Sequence, residues 1–199
     1  MKHHILPLVC FISLFLVNTR ALSQQNKIKG GVLGIPGFQS GFATGNIGYE
    51  RLNKNQTASW QIHYNLASGS IASDAGDTKR KWVTVEKTFY LKGKHESSFL
   101  YSFFIESGTR TKFPGFIHPS PDSIPRYTRS FELCPGIAAG LHYNFSRHFG
   151  LQVLSGPKII FSKPHTFFYS TATGKNFTAD GGNEIKTGYR FMLNLCYQF

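Results

Sequence analysis

The sequence predicts an all-β fold, an eight-stranded antiparallel up-and-down transmembrane β-barrel, and three features predict it. Apolar residues alternate along the chain in runs too long for ordinary soluble strands. The segments joining those runs are short and long by turns, and a short apolar leader opens the chain.

The leader comes first. Lys2, His3 and His4 precede an apolar run over residues 5–17, roughly 13 residues, within the 7–15 of a signal-peptide core and short of the ~20 a spanning helix needs. Ala21 and Ser23 put small residues at minus three and minus one, which predicts cleavage before Gln24. The expected organisation is a signal peptide over residues 1–23 and one barrel domain over residues 24–199. Cys10 lies inside the apolar core behind Val9, where a lipid-attachment signal would place a small residue. No second apolar span follows, so strands must make any crossing of a membrane.

Charge narrows the partners. There are 22 Lys and Arg against 10 Asp and Glu, a net charge of +12. Behind an export signal, such an excess points to phosphate-bearing lipid headgroups rather than nucleic acid. Cys134 and Cys196 are too few for a disulfide framework and fall at opposite ends of their strands, which predicts two free thiols. No cofactor or metal is expected. The acidic turn at residues 180–183 reads as a turn rather than a calcium loop.

The alternation is cleanest at the C-terminal end. From Ile185 the odd positions run through Tyr189, Phe191, Leu193, Leu195, Tyr197 and Phe199, while the even ones carry Glu184, Lys186, Arg190, Asn194 and Gln198. That is the period-2 signature of a strand, and its length suits a tilted crossing of a bilayer. Residues 131–146 and 149–162 repeat the pattern. Weaker copies lie near residues 47–50, 60–66, 82–91 and 99–110, and a Gly-rich segment at 27–36 completes eight. Tight turns are expected at 53–56, 93–97 and 147–148, with a short loop near 37–41. The long connections are expected at 67–80, 111–128 and 163–183. Short turns on one side and long loops on the other are what an even-stranded membrane barrel requires, with both termini on the short-turn side.

With these features, and with Leu195-Cys196-Tyr197-Gln198-Phe199 at the end, the chain resembles the small outer-membrane barrels of the OmpA and OmpX type. Gly48-Tyr49-Glu50 followed by Trp60, and residues 86–91 before a turn, also resemble uncharacterised small barrels of Bacteroidota. The resemblance implies residence in a bacterial outer membrane, contact with its lipid and lipopolysaccharide, and a role for Phe199 as the signal to the barrel-assembly machinery.

Parity then assigns the side chains. Glu50, Glu86, Glu106, Glu132 and Glu184 fall on the inward face, beside Arg110, Lys158, Lys186 and Arg190. An eight-stranded lumen is just wide enough for side chains to fill, so these charges are expected to interlock as a plug. Tyr49, Phe89, Phe99, Tyr143, Phe145, Phe149, Tyr197 and Phe199 face outward near the short turns, as an interfacial girdle does. Basic residues of the long loops, Lys79, Arg80, Lys81, Arg126, Arg129, Lys163 and Lys175, are expected to meet lipopolysaccharide phosphates. Pro135 and Pro157 inside strands predict bulges, and Lys87 on the lipid side predicts snorkelling to the interface.

The function expected is therefore non-enzymatic: a structural barrel whose surface meets lipid or an unidentified surface partner. A secreted lipocalin-like binder is the alternative, and would need the reverse polarity of its walls. A barrel-embedded lipid A hydrolase is the third reading, for which His142, Asn144 and Ser146 supply a base and a nucleophile but no orienting acid at fixed spacing.

Overall fold

The computed structural model describes residues 26–32, 43–55, 57–70, 77–91, 98–114 and 123–199. The leader with its cleavage site, the loop near 37–41 and the turn at 93–97 lie outside the described residues. Nine strands follow one another among the described residues: β1 (Asn26–Val32), β2 (Ala43–Leu52), β3 (Ala58–Ser70), β4 (Asp77–Tyr90), β5 (Ser98–Lys112), β6 (Ser123–Asn144), β7 (Phe149–Ser170), β8 (Asn176–Asp180) and β9 (Glu184–Gln198).

Every pairing is antiparallel, and the ladder runs β1–β2–β3–β4–β5–β6–β7–β9 and back to β1. The wall is therefore closed, each column having a neighbour on both sides. In hydrocarbon an unpaired backbone amide costs several kcal/mol, so closure is what permits strands to span a bilayer. The ninth strand does not widen the ring. β7 pairs with β9 up to Ser162↔Glu184 and then with β8 from His165↔Asp180, so β8 continues the β9 column after one extra residue in segment 181–183. The Gly181 N–H donates to the Pro164 carbonyl across this break, at 2.8 Å. Eight columns form the barrel, as the alternation predicts.

Two expectations about connections fail. Segment 163–183 is a β-hairpin closed by a turn at 171–175, where Gly174 takes a positive φ of 67° that an L side chain rarely adopts. Segment 67–80 is likewise mostly strand, since β3 runs to Ser70 and β4 starts at Asp77. Nor do Pro135 and Pro157 make bulges. The β5–β6 register passes through Ile105↔Pro135 unbroken, and the β7–β9 register passes through Pro157↔Tyr189. The β6–β7 ladder skips pairs around both prolines without changing frame, and its bulge sits at Pro125–Tyr127 instead. A missing donor can be tolerated by a local gap in one seam while the neighbouring seams hold the register.

Burial follows the dyad and is inverted relative to a soluble barrel. On β4, Trp82, Thr84, Glu86, Thr88 and Tyr90 are buried while Val83 and Val85 are exposed. Outward-facing Phe103, Ile105, Ile137, Leu141, Leu193 and Leu195 continue an apolar belt around the wall. A soluble ligand-binding barrel needs the opposite arrangement, an apolar interior and a polar surface. Inside, among the described residues, Leu52, Leu100, Phe104, Ala138, Leu154 and Met192 form one apolar patch with the Tyr90 ring, and Trp82 lies outside it. Glycine makes room for two inward rings, because a Cβ at Gly48 would meet the His63 imidazole and one at Gly136 would meet Phe104. The short turns are held by side-chain acceptors. Asn53 Oδ1 accepts the N–H groups of Thr57 and Ala58, and Ser146 Oγ accepts those of His148 and Phe149.

Candidate functional site

Two groups of charged side chains stand out, one filling the lumen and one on the outer wall. The lumen group begins near the end where β1 starts and β9 finishes. Lys29, fully buried, lies 3.0 Å from Glu50 Oε2 and donates to Gln61 Oε1 at 2.8 Å and Gln152 Oε1 at 2.7 Å. The Tyr90 hydroxyl donates to the other oxygen of Glu50. Lys27 stands 4.0 Å from Glu50 and 3.3 Å from His142 Nε2, which also contacts Asn144 at 2.8 Å. A buried ammonium surrounded by three acceptors keeps its charge solvated by protein, which is the condition for an ion pair to persist away from water.

Further along the lumen a second set climbs towards the opposite mouth. Arg190 donates to Glu86 at 2.8 Å, lies 3.6 Å from Glu106, and covers the Phe104 ring at 4.3 Å. Lys158 donates to Glu106 at 2.7 Å, and Arg80 reaches both Glu106 at 3.4 Å and Glu132 at 2.9 Å. Arg110 closes the series on Glu132 at 3.6 Å, with its side chain 36% exposed at the mouth. The partners come from β4, β5, β6, β7 and β9, so the set crosslinks the wall from within.

The structure thus brings together Glu50, Glu86, Glu106, Glu132, Arg110, Lys158 and Arg190, and leaves out two others. Glu184 and Lys186 pair with each other at 2.5 Å on the exposed end of β9, beyond the filled lumen. Sequence reasoning missed Lys27 and Lys29, because β1 lies in the Gly-rich segment with the weakest alternation. It also missed Arg80, which falls in the expected loop at 67–80 because β4 starts at Asp77, ahead of the expected start near residue 82. The signal was present, since Arg80 shares the even parity of Trp82, Thr84 and Glu86.

The expected phosphate-contacting residues need the same correction. Lys79, Arg80, Lys81, Arg126 and Arg129 are strand residues rather than loop residues, and Arg80 points inward. The others lie on the outer side of the wall. Arg126 covers the Tyr169 ring at 5.1 Å, and Lys175 stands in the tip turn at 171–175. Cross-strand register sets the rest side by side: Lys79↔Thr111↔Arg129↔His165 form one outward row, and Lys81↔Thr109↔Phe131↔Lys163 form the next. Immediately below them, Val83↔Ser107↔Leu133↔Phe161 begins the apolar belt. His165 Nδ1 and Asp180 Oδ1 lie 2.6 Å apart at the β8 edge of the patch. The Asp180 carboxyl is held below the usual range, first by that hydrogen bond and then by the imidazole's charge.

At the opposite end, Lys87 does face outward, and it packs its ammonium over Trp60 at 4.7 Å and Phe89 at 5.9 Å. Aromatic rings line this end of the outer wall, with Phe89 stacked on Tyr101 at 4.9 Å beside Lys87 and, across the ring on β9 and β7, Tyr197 beside Phe149 at 5.2 Å. Phe199 follows β9 with its amide donating to the Asn26 carbonyl at 3.3 Å. Cys134 and Cys196 are both free and buried. His142 and Ser146 are not brought together: the imidazole is bound in the lumen network, and the Ser146 hydroxyl caps an exposed turn.

No family model and no curated protein matches the chain. Among solved structures, its fold is similar to that of a major outer membrane protein from Thermus thermophilus, with a TM-score of 0.61 and 9% sequence identity, the match covering 89% of this chain and 100% of that one. The closed ring, the apolar outer wall and this likeness together give the chain the fold of an outer-membrane β-barrel.

Proposed function

We propose that the protein resides in a bacterial outer membrane as a non-enzymatic structural barrel of the small OmpA and OmpX type. It is exported by the signal peptide at residues 1–23 and received by the barrel-assembly machinery through Phe199. Its basic outer wall contacts lipopolysaccharide or a surface partner. The observation that carries this reading is the position of the cations. Lys79, Lys81, Arg129 and Lys163 project from the outer wall on two adjacent rows, directly above the belt and at the end of the barrel away from the start of β1 and the finish of β9. Phosphates in a lipid headgroup lie at that level, and each charge-assisted hydrogen bond to one is worth about 1.5–3 kcal/mol before screening.

Retention of anionic lipid by the purified protein, read by native mass spectrometry, tests it. A Lys79→Gln/Lys81→Gln/Arg129→Gln/Lys163→Gln variant should retain at least about tenfold less, the loss of roughly 1.4 kcal/mol. Equal retention by the variant would remove the phosphate-contact reading.

A further inference from the structure

The phosphate-contact reading, on which this step rests, leaves unexplained a third outward row just beyond the cations. Two residues further from the belt, Phe113 follows Thr111 just past the end of β5, Tyr127 precedes Arg129 on β6, and Phe167 follows His165 on β7. Tyr127 stacks on Phe167 at 4.5 Å between centroids, and Phe113 lies 6.2 Å from Tyr127. The Lys79 ammonium sits 5.5 Å over the Phe113 ring, which joins this row to the cations below it. Strand geometry puts successive same-face rows about 7 Å apart, and neighbouring strands about 4.8 Å apart.

Three chemistries are therefore stacked in order along one outer face. Leu133 and Phe161 are apolar, Lys79, Lys81, Arg129 and Lys163 are cationic, and the stacked Tyr127 and Phe167 with Phe113 beside them form an aromatic tier. A diacylglycerol phosphate would use the first two tiers and leave the third idle. A sugar ring presents apolar C–H groups that pack on the aromatic surface the stack leaves open, and its hydroxyls can reach the Tyr127 hydroxyl and Thr178, which pairs with Phe167. Asp180, paired to His165, bounds the anion tier on the β8 side.

We infer that the outer face of β4–β7 binds a phosphorylated glycolipid, with acyl chains on the belt, phosphate on the cation rows and sugar on the Phe113–Tyr127–Phe167 row. The full-length protein in detergent is titrated with bisphosphorylated lipid A and, separately, with phosphatidylglycerol, and bound lipid is counted by native mass spectrometry. The native protein should favour lipid A by about tenfold or more. A Phe113→Ala/Tyr127→Ala/Phe167→Ala variant should lose that preference while binding phosphatidylglycerol as before. A Tyr127→Leu/Phe167→Leu variant, which keeps apolar bulk and removes the rings, should do the same, and migration before and after heating confirms that each variant is folded. Undiminished preference for lipid A in both variants would overturn the sugar assignment and leave the phosphate contacts standing. Retention of neither lipid by the native protein would overturn both.

Discussion

Arg190 sits where the lumen can least spare a charge. It is 2% exposed, joins Glu86 to Glu106, and has Phe104 against its other side. Replacing it with Leu leaves two carboxylates buried with fewer partners, so Arg190→Leu should cost about 3–5 kcal/mol of stability, measured by unfolding in urea and lipid vesicles. Arg110, more than a third exposed at the mouth, is screened by water, and Arg110→Gln should cost less than about 1 kcal/mol in the same assay. The inward carboxylates Glu50, Glu86, Glu106 and Glu132 were legible in the sequence because parity alone assigns a side chain to a face. Their partners were not. Arg190 meets Glu86 across the lumen, from β9 to β4, and that pairing depends on the stagger of the closed ring, which no single strand encodes.

At the scale of elements, closure depends on where backbones come close. At Gly156 on β7 a Cβ would meet the Ile137 carbonyl and the Ala138 Cα on β6, both backbone atoms that cannot swing aside. Gly156→Val should therefore open the β6–β7 seam and abolish the heat-shifted folded band, whereas Gly30→Ala, at a position with open space, should preserve it. The projecting β7–β8 hairpin should respond to acid. The folded Asp180 carboxyl is depressed by His165, so the pair's contribution is present above the ordinary Asp pKa, ~3.9, and is lost as pH falls through the lower folded value. Protection of the amides at residues 176–180, taken relative to their intrinsic exchange rates at each pH, should fall over that window and stay constant in an Asp180→Asn variant. Element ends were the least legible feature of the sequence, for a physical reason. Beyond the belt both faces of a strand meet a polar environment, so in residues 67–70 and 163–170 the apolar contrast fades although the ladder bonds persist.

For the whole molecule, the sequence specified an inside-out barrel because hydrocarbon outside and a charged plug inside demand opposite side chains at every second position. That contrast is strongest in β9, where Leu193, Leu195 and Tyr197 face out and Met192, Asn194 and Cys196 are buried, and it suffices to fix eight columns. What it could not supply was the outer-wall patch, which exists only once register sets Lys79 beside Thr111, Arg129 and His165. The closed, inverted barrel is tested most directly by electrophoretic migration of the protein from isolated outer membranes, with and without boiling. Faster migration of the unboiled protein, abolished by heat, is the result this structure predicts. A protein recovered only from the soluble fraction, migrating identically before and after boiling, would contradict it.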